Sequence, residues 1–410
     1  MSNPIPAEFV VPPRPPQVRR WHGLRRVLAV RLDAAGDVLM TTPALRALRM
    51  TRPERLTLLT STSGAAVAEL LPELDDVIVY DPPWMKALRE SVDPVADLAF
   101  IERLRAEGFD AAAIFTVNSQ SSLPAATLTY LAGIPRRLAH CRENPYGLLT
   151  DWVPDPEPDV PLRHEVRRQL DLLAHVGIRA TDEHLSLHIP DVASRAIRSR
   201  LGRLGIDLRR PWIVVHPGAT APSRRYPVER FGEVLRRLHV RTGWPIILTG
   251  SRGERRLVDD VRAAADGLGT SLAGDLDMAE MAARVGVAPL VLTNNSLPAH
   301  MAAALGTPVV DLYALTNVQH TPWAVPSRVL SVDVPCKGCR RSECPLGHNR
   351  CLHAVDPRDV VDAILELAGE TGISTTAGET PRAPALSALS TSPARRPRRA
   401  PRGGELAVVR

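Results

Sequence analysis

No apolar run in this chain approaches the roughly 18 residues that a membrane-crossing helix needs. The first twenty residues, MSNPIPAEFVVPPRPPQVRR, contain no hydrophobic segment of the kind a secretory signal carries. A soluble protein located in the cytoplasm is the expectation. The second and third glycines of a G-x-G-x-x-G pattern are missing after the first strand-like run, which argues against a dinucleotide site there. No short-period repeat is visible, which argues against a solenoid. Cysteine is sparse, five in 410 residues, and a disulfide is the least expected use of it in a reducing compartment.

What is present in quantity is apolar residue and arginine. A hydrophobic content of 44% over 410 residues can fill two cores. The sequence pI of about 9.4 points toward nucleic acid only until the charge is located. Residues 371–410 carry a net +5 and residues 1–26 a net +4, which leaves −3 for the body out of a total of +6. Basic character therefore belongs to the two ends, one Pro/Arg-rich and one Ala/Ser/Thr/Pro/Arg-rich, and both read as disordered. Solvated tails are the plain reading, a loose peripheral hold on acidic lipid headgroups the weaker one, and no nucleic-acid partner is expected.

Between the ends, strand-like and helix-like segments alternate, the mark of doubly wound α/β sheets. Strands are expected at 25–31, 55–60, 76–80 and 109–115, and the alternation restarts at Pro211 with strands near 211–215, 245–249, 289–293 and 308–313. The layout that follows is a disordered tail over 1–24, a first domain over 25–205, a second over 206–370 and a disordered basic tail over 371–410. PDPEPDVP at 154–161 reads as a rigid surface crossing.

The stretch PLVLTNNSLPAHMAAALGTPVVDLY, 289–313, reads as strand, polar turn, short helix, strand. Asn294, Asn295 and Ser296 favour helix N-caps, Pro298 suits a first turn and Gly306 a stop. A helix start at the carboxyl end of a parallel strand is an anion site. His216-Pro217-Gly218 and Arg224-Arg225 follow the first strand of the second domain, where small residues admit backbone amides to a ligand and guanidinium groups suit phosphate oxygens. Glu254 follows the next strand and either accepts from ribose hydroxyls or caps its helix. His300 either donates to a phosphate or is a satisfied helix histidine. In the first domain, Asp37 beside Gly36 is either a helix N-cap or a general base facing the cleft, with Thr41 and Thr42 one turn on. Cys336, Cys339, Cys344 and Cys351 are spaced C-x2-C-x4-C-x6-C within the segment 336–351. Two readings stay open for them: a closed thiolate site holding structural zinc or an iron–sulfur centre, or reduced cysteines in a loop.

Four stretches taken in order resemble glycosyltransferase family 9, the ADP-heptose:lipopolysaccharide heptosyltransferase family: VLAVRLDAAGDVLMTTPALRAL, IVVHPGATAPSRRYPVERFGEVLRRL, TNNSLPAHMAAALGTPVVDLYALT and PCKGCRRSECPLGHNRCL. The resemblance spans about 25–368. It implies a GT-B fold, two Rossmann-like domains facing across a cleft, the first holding the acceptor and the second the nucleotide sugar. Asp37 would then be the base that deprotonates an acceptor hydroxyl for inverting transfer, with Thr41 and Thr42 on the acceptor side. His216, Gly218, Arg224, Arg225, Glu254, Asn294, Asn295, Ser296 and His300 would form the donor side, without a catalytic metal or other cofactor. The implied donor is a nucleotide sugar such as ADP-heptose, and the acceptor a cell-envelope glycan or glycolipid, reached at the inner face of the membrane. This chain departs from the family where T-N-D-T-G-P-M-H becomes Thr293-Asn294-Asn295-Ser296-Leu297-Pro298-Ala299-His300, and where Arg224 stands for a usual Lys. The alternative function is a GT-B-like nucleotide-sugar-binding protein with weak catalysis.

Overall fold

The computed structural model describes residues 21–85 and 93–375. The expected disordered tails therefore lie outside the described residues, except for their inner ends. Trp21, placed in the tail by the sequence reading, is fully buried. Its backbone N–H donates to Val176 O at 3.3 Å, so the packed structure begins before the first strand.

Strands β1 (Arg26–Arg31), β2 (Arg55–Thr60), β3 (Asp76–Val79), β4 (Ala111–Ile114), β5 (Arg136–Cys141) and β6 (Asp151–Pro154) form one sheet in the order β3-β2-β1-β4-β5-β6. Strands β7 (Ile213–His216), β8 (Ile246–Leu248), β9 (Thr270–Ser271), β10 (Leu290–Asn294), β11 (Val309–Leu312) and β12 (Ser327–Leu330) form a second, in the order β12-β11-β10-β7-β8-β9. All pairings are parallel. Both orders are that of the Rossmann fold, which leaves a crevice where strand order reverses, beside β1/β4 and beside β7/β10.

The strand sequences are nearly continuous apolar runs because both faces of each sheet are covered. Val27 and Ala29 of β1 enter one core while Leu28 and Val30 enter another. In β7, Val214 likewise points away from Ile213 and Val215. One apolar cluster runs from Trp21 through Leu172 and Ile197 to Val309, so the two halves share a core.

The helices are α1 (Ala35–Met40), α2 (Thr42–Met50), α3 (Thr62–Ala68), α4 (Pro94–Ala106), α5 (Leu123–Leu131), α6 (Glu165–His175), α7 (Asp191–Arg203), α8 (Val228–Thr242), α9 (Arg255–Ala264), α10 (Met278–Val287), α11 (Leu297–Leu305), α12 (Arg350–His353) and α13 (Pro357–Glu370). His188 N–H still bonds to Leu70 O in the first half, whereas α7 packs against α10 in the second. The chain thus crosses between halves just before α7, earlier than the break at 205/206 read from the sequence. The 154–161 segment is not a mere surface crossing. Glu157 is buried there and pairs with Arg163 at 2.7 Å and Arg168 at 3.0 Å.

Candidate functional site

The two crevices are joined by a direct contact between halves. Gly36, in the first turn of α1, lies under the His300 ring of α11, and a Cβ at that glycine would sit 2.9 Å from His300 Cδ2. Asp37 follows Gly36 and His300 sits in the first turn of α11, so the tertiary fold brings together residues 263 positions apart in the sequence.

Asp37 does not cap its helix. The N-cap of α1 is Ala34, and no side chain caps it. The Asp37 carboxylate pairs with Arg31 Nη2 at 3.2 Å and stays partly open to solvent. Thr41 and Thr42 are fully buried, and their hydroxyls donate to the Asp37 and Leu39 carbonyls at 2.9 and 2.7 Å. Thr42 Oγ1 also accepts from Ser186 N–H. These hydroxyls fasten the α1–α2 turn.

Arg31, the last residue of β1, is the centre of a buried charge cluster. It pairs with Asp33 at 3.0 Å and Glu165 at 2.8 Å as well as with Asp37. Burial, reinforced by Asp37 and Glu165, pushes Asp33 up to about 6 despite the attraction of Arg31. For Glu165, burial is outweighed by Arg31 and by His320, and its pKa is held down to about 2. Asp33 also accepts from Gln120 Nε2 at 2.7 Å. Both residues line a cavity of about 390 Å³ at the β1/β4 crevice, together with Trp84, Ile114 and Phe115.

On the other side of the contact, β10 ends at Asn294, whose side chain acts as a staple: Nδ2 donates to Pro217 O at 2.7 Å and Oδ1 accepts from Tyr226 N–H at 3.1 Å. The cap of α11 is Ser296, with extended φ −144°, and its hydroxyl turns back to Asn294 O. No side chain caps α11, contrary to the capping role read for Asn294 to Ser296; Pro298 has no N–H to satisfy and Ala299 N–H bonds to Ser296 O at 3.0 Å. Pro298 and Gly306 do serve as expected, Gly306 closing the helix at φ +71°.

Around this helix start lie buried polar atoms without partners: Asn295 Oδ1, His300 Nδ1, Arg224 Nε and both Asp311 oxygens. Burial, then the neighbouring His320, lowers His300 to about 3, so its ring is neutral. Burial likewise keeps Asp311 well above the usual carboxylate range, opposed by Arg224. Orphaned buried groups are costly in isolation, and their concentration at one uncapped helix start marks a place built to meet a polar ligand.

The loops after β7 and β8 complete this side. His216 Nδ1 lies 3.1 Å from Thr249 Oγ1, and its Nε2 lies 3.9 Å from Glu254 Oε2. Glu254 makes a capping box, accepting from Ser251 N–H and Oγ–H at 2.8 Å each. Burial opposes its charge, but His216 and Ser251 outweigh it and keep the carboxyl acidic. Of the two readings for Glu254, the cap is realised. A Cβ at Gly218 would fall 2.2 Å from Glu254 Oε1, so a larger residue there would push the carboxylate off its cap. Arg225 Nε is spent on Ala219 O at 2.8 Å, while Arg224 Nη2 stands 2.8 Å from the Asn317 side-chain amide, whose oxygen accepts from it once the amide is turned to face the guanidinium.

The cysteine segment braces these loops from behind. Ser223 N–H bonds to Ser342 O, Gly338 N–H to Leu315 O and Arg340 N–H to Thr316 O. Cys336, Cys339, Cys344 and Cys351 are free and half-buried. Among the described residues no three His, Cys, Asp or Glu side chains converge to hold a metal ion. The structural zinc or iron–sulfur reading therefore has no support from a ligand set of that kind, although Cys336, Cys339 and Cys344 all lie near enough to Cys351 to help burial raise its pKa.

Sequence reasoning missed Arg31, Asp33, Glu165, His320, Gln120 and Asp311. A charge closing an apolar strand was a signal for Arg31, and a lone acid inside VVDLY for Asp311. Nothing local marks Glu165 or His320.

Two Rossmann-ordered halves with apposed crevices, one carrying a carboxylate and the other an uncapped helix start, define the GT-B class of glycosyltransferase. The sequence profile of glycosyltransferase family 9 (heptosyltransferase) matches residues 98–349. The chain belongs to that family and is a glycosyltransferase. It is 26% identical over 280 residues to lipopolysaccharide heptosyltransferase 2 of Salmonella typhimurium, covering 66% of this chain and 78% of that protein. It is 25% identical over 301 residues to an Escherichia coli lipopolysaccharide heptosyltransferase 3, covering 70% and 84%. Solved structures share the fold. A family 9 glycosyl transferase from Veillonella parvula superposes with a TM-score of 0.69 at 22% identity, covering 84% of this chain and 98% of that one. The E. coli heptosyltransferase solved with ADP gives 0.61 at 19% identity, covering 84% and 100%. Among the described residues no helix is long and apolar enough to cross a membrane.

Proposed function

We propose that the protein transfers a sugar, heptose in the first instance, from a nucleoside-diphosphate donor such as ADP-heptose to a cell-envelope glycan or glycolipid, with inversion at the anomeric carbon. The observation that carries this reading is the apposition of the Gly36–Asp37 turn and the His300 turn of α11. It sets a partly open carboxylate against an uncapped helix start.

In this reading the acceptor sugar enters the cavity at the β1/β4 crevice, with Trp84 as an apolar wall and Gln120 and Asp33 meeting hydroxyls. Asp37 takes the proton from the attacking hydroxyl. The acceptor oxygen forms a bond to the anomeric carbon, the bond from that carbon to the diphosphate oxygen breaks, and its electron pair leaves on the nucleoside diphosphate. The positive end of α11, the Arg224 guanidinium and the Asn295 side-chain NH2 offset the charge on the departing diphosphate. Neutral His300 presents a hydrogen-bonding nitrogen to the same group. The names of the relatives support the donor and acceptor: they are lipopolysaccharide heptosyltransferases, and one solved relative holds ADP.

The test is transfer by the purified protein from ADP-heptose to heptose-deficient lipopolysaccharide, beside a thermal-shift comparison of ADP-, GDP-, UDP- and dTDP-sugars. Stabilisation by another nucleotide alone, with no transfer from ADP-heptose, would replace the donor assignment. Asp37→Asn is expected to abolish turnover while donor affinity stays within a few-fold.

A further inference from the structure

Arg31 lies outside the donor and acceptor sets, yet it controls the charge around Asp37. Its guanidinium is closed to solvent, and β1 fixes its backbone through the Arg31–Thr60 pairing with β2. From there it reaches Asp33 through Nε, Glu165 through Nη1 and Asp37 through Nη2, at 3.0, 2.8 and 3.2 Å. A planar fork whose two Nη groups hydrogen-bond Glu165 and Asp37, with Nε in ion-pair range of Asp33, fixes carboxylate orientation in a way that a lysine ammonium does not.

Glu165 extends this arrangement into the other half of the molecule. Its backbone N–H bonds to Gln319 O at 3.0 Å, and its Oε2 stands 3.8 Å from His320 Nε2. The same loop is docked by Thr321 O on His164 Nε2 at 2.9 Å and by Trp323 Nε1 on Glu183 O at 2.8 Å. A continuous polar path therefore runs from the loop after β11, through Glu165 and Arg31, to Asp37.

Resting on the reading of Asp37 as the base, we propose that Arg31 is its positioning residue: Arg31 holds the Asp37 carboxylate in the orientation that accepts the acceptor's proton, and Glu165 ties that orientation to the docked loop of the second half. A bridge that only stabilised the fold would affect melting temperature and leave the turnover of folded enzyme alone. A positioning bridge affects turnover and its pH dependence at nearly constant donor affinity.

The experiment uses the full chain and four variants, Arg31→Lys, Arg31→Gln, Glu165→Gln and Asp37→Asn. It reads kcat, donor KM, melting temperature and the pH profile of kcat/KM. Arg31→Lys keeps a cation but loses the fork, and is expected to lower kcat about tenfold or more with donor KM within twofold. Arg31→Gln removes the cation that faces Asp33, Asp37 and Glu165, leaving His320 and His300 as the basic side chains contributed by the second half. The acid limb of its profile is expected to move to higher pH. Glu165→Gln is expected to lower kcat by a smaller factor, and it serves if the Arg31 variants do not fold. Wild-type kcat and an unmoved pH profile in folded Arg31→Lys or Glu165→Gln, with Asp37→Asn inactive, would overturn the positioning role. Turnover retained by Asp37→Asn would instead overturn the assignment of the base.

Discussion

Gly36→Ala isolates the contact on which the functional reading depends. The added methyl would stand 2.9 Å from His300 Cδ2 and 3.5 Å from His300 Nε2. Carbon atoms in contact prefer about 3.5–4.0 Å, so the His300 ring must retreat by roughly 0.6–1 Å. Backbone strain plays no part, since Gly36 is helical in α1, where alanine is favoured over glycine by about 1 kcal/mol. Overpacking against the ring opposes that gain by about 1–3 kcal/mol. Stability should therefore move little, while the reacting groups move apart by an amount that costs on the order of 100-fold in rate. The assay is release of nucleoside diphosphate under saturating donor, with melting temperature measured in parallel. Repeating it in a His300→Ala background closes a double-mutant cycle. If the mechanism is right, Gly36→Ala should slow the single variant far more than it slows the His300→Ala enzyme. A Gly36→Ala enzyme with wild-type kcat/KM would refute the claim that this apposition sets the reacting geometry.

Asp33 has a folded pKa of about 6 against 3.8 for the ordinary carboxyl. As pH rises above about 4, the unfolded chain loses this proton first, so folding grows costlier up to about pH 6. Asp33→Asn should thus gain stability relative to wild type across that window, by about 3 kcal/mol at most, and lose the advantage below pH 4. Urea titrations at several pH values check it, and a pH-independent difference would contradict it. Glu165 works the other way, because its pKa is held at about 2 against 4.5. The stability it contributes is present above pH 4.5 and falls away as pH drops toward 2, so Glu165→Gln should flatten acid unfolding in that range. Arg284 is buried with all three guanidinium nitrogens unpartnered, and burial lowers it to about 10. Arg284→Met should raise the urea midpoint, with a gain of about 1–3 kcal/mol, and a lowered midpoint would mean that the guanidinium is satisfied. Transfer activity should survive prolonged EDTA treatment, because the leaving-group charge is assigned to α11 and Arg224. Loss restored by a divalent cation would require a different mechanism.

The local order of this chain was legible because each signal is short-range. VLAVR, RLTLLT and LVLTN are apolar runs of strand length, Gly306 closes its helix in left-handed conformation, and all became the expected elements. The weaker strands β5, β6, β9 and β12 escaped notice, since RRLAHC and SRVL mix charge with apolar residues and gain strand character only from a neighbour already in the sheet. Caps were misjudged for a related reason. Asn294 is a good cap by composition, but a tertiary demand, the stapling of Pro217 and Tyr226, outbid its own helix.

The sequence by itself determined two alternating α/β series and which turns carry glycine, carboxylate and arginine. Those properties depend on residues within a few positions of one another. Which carboxylate meets which helix start, which hydroxyls are already taken, and which arginine is sealed among three acids were decided only by tertiary structure. Arg31 reads as one more charge at a strand end until α6 brings Glu165 to 2.8 Å and α1 brings Asp37 to 3.2 Å. Electrostatic character in a protein interior is set by distance and burial, and neither is written in the spacing of residues along the chain.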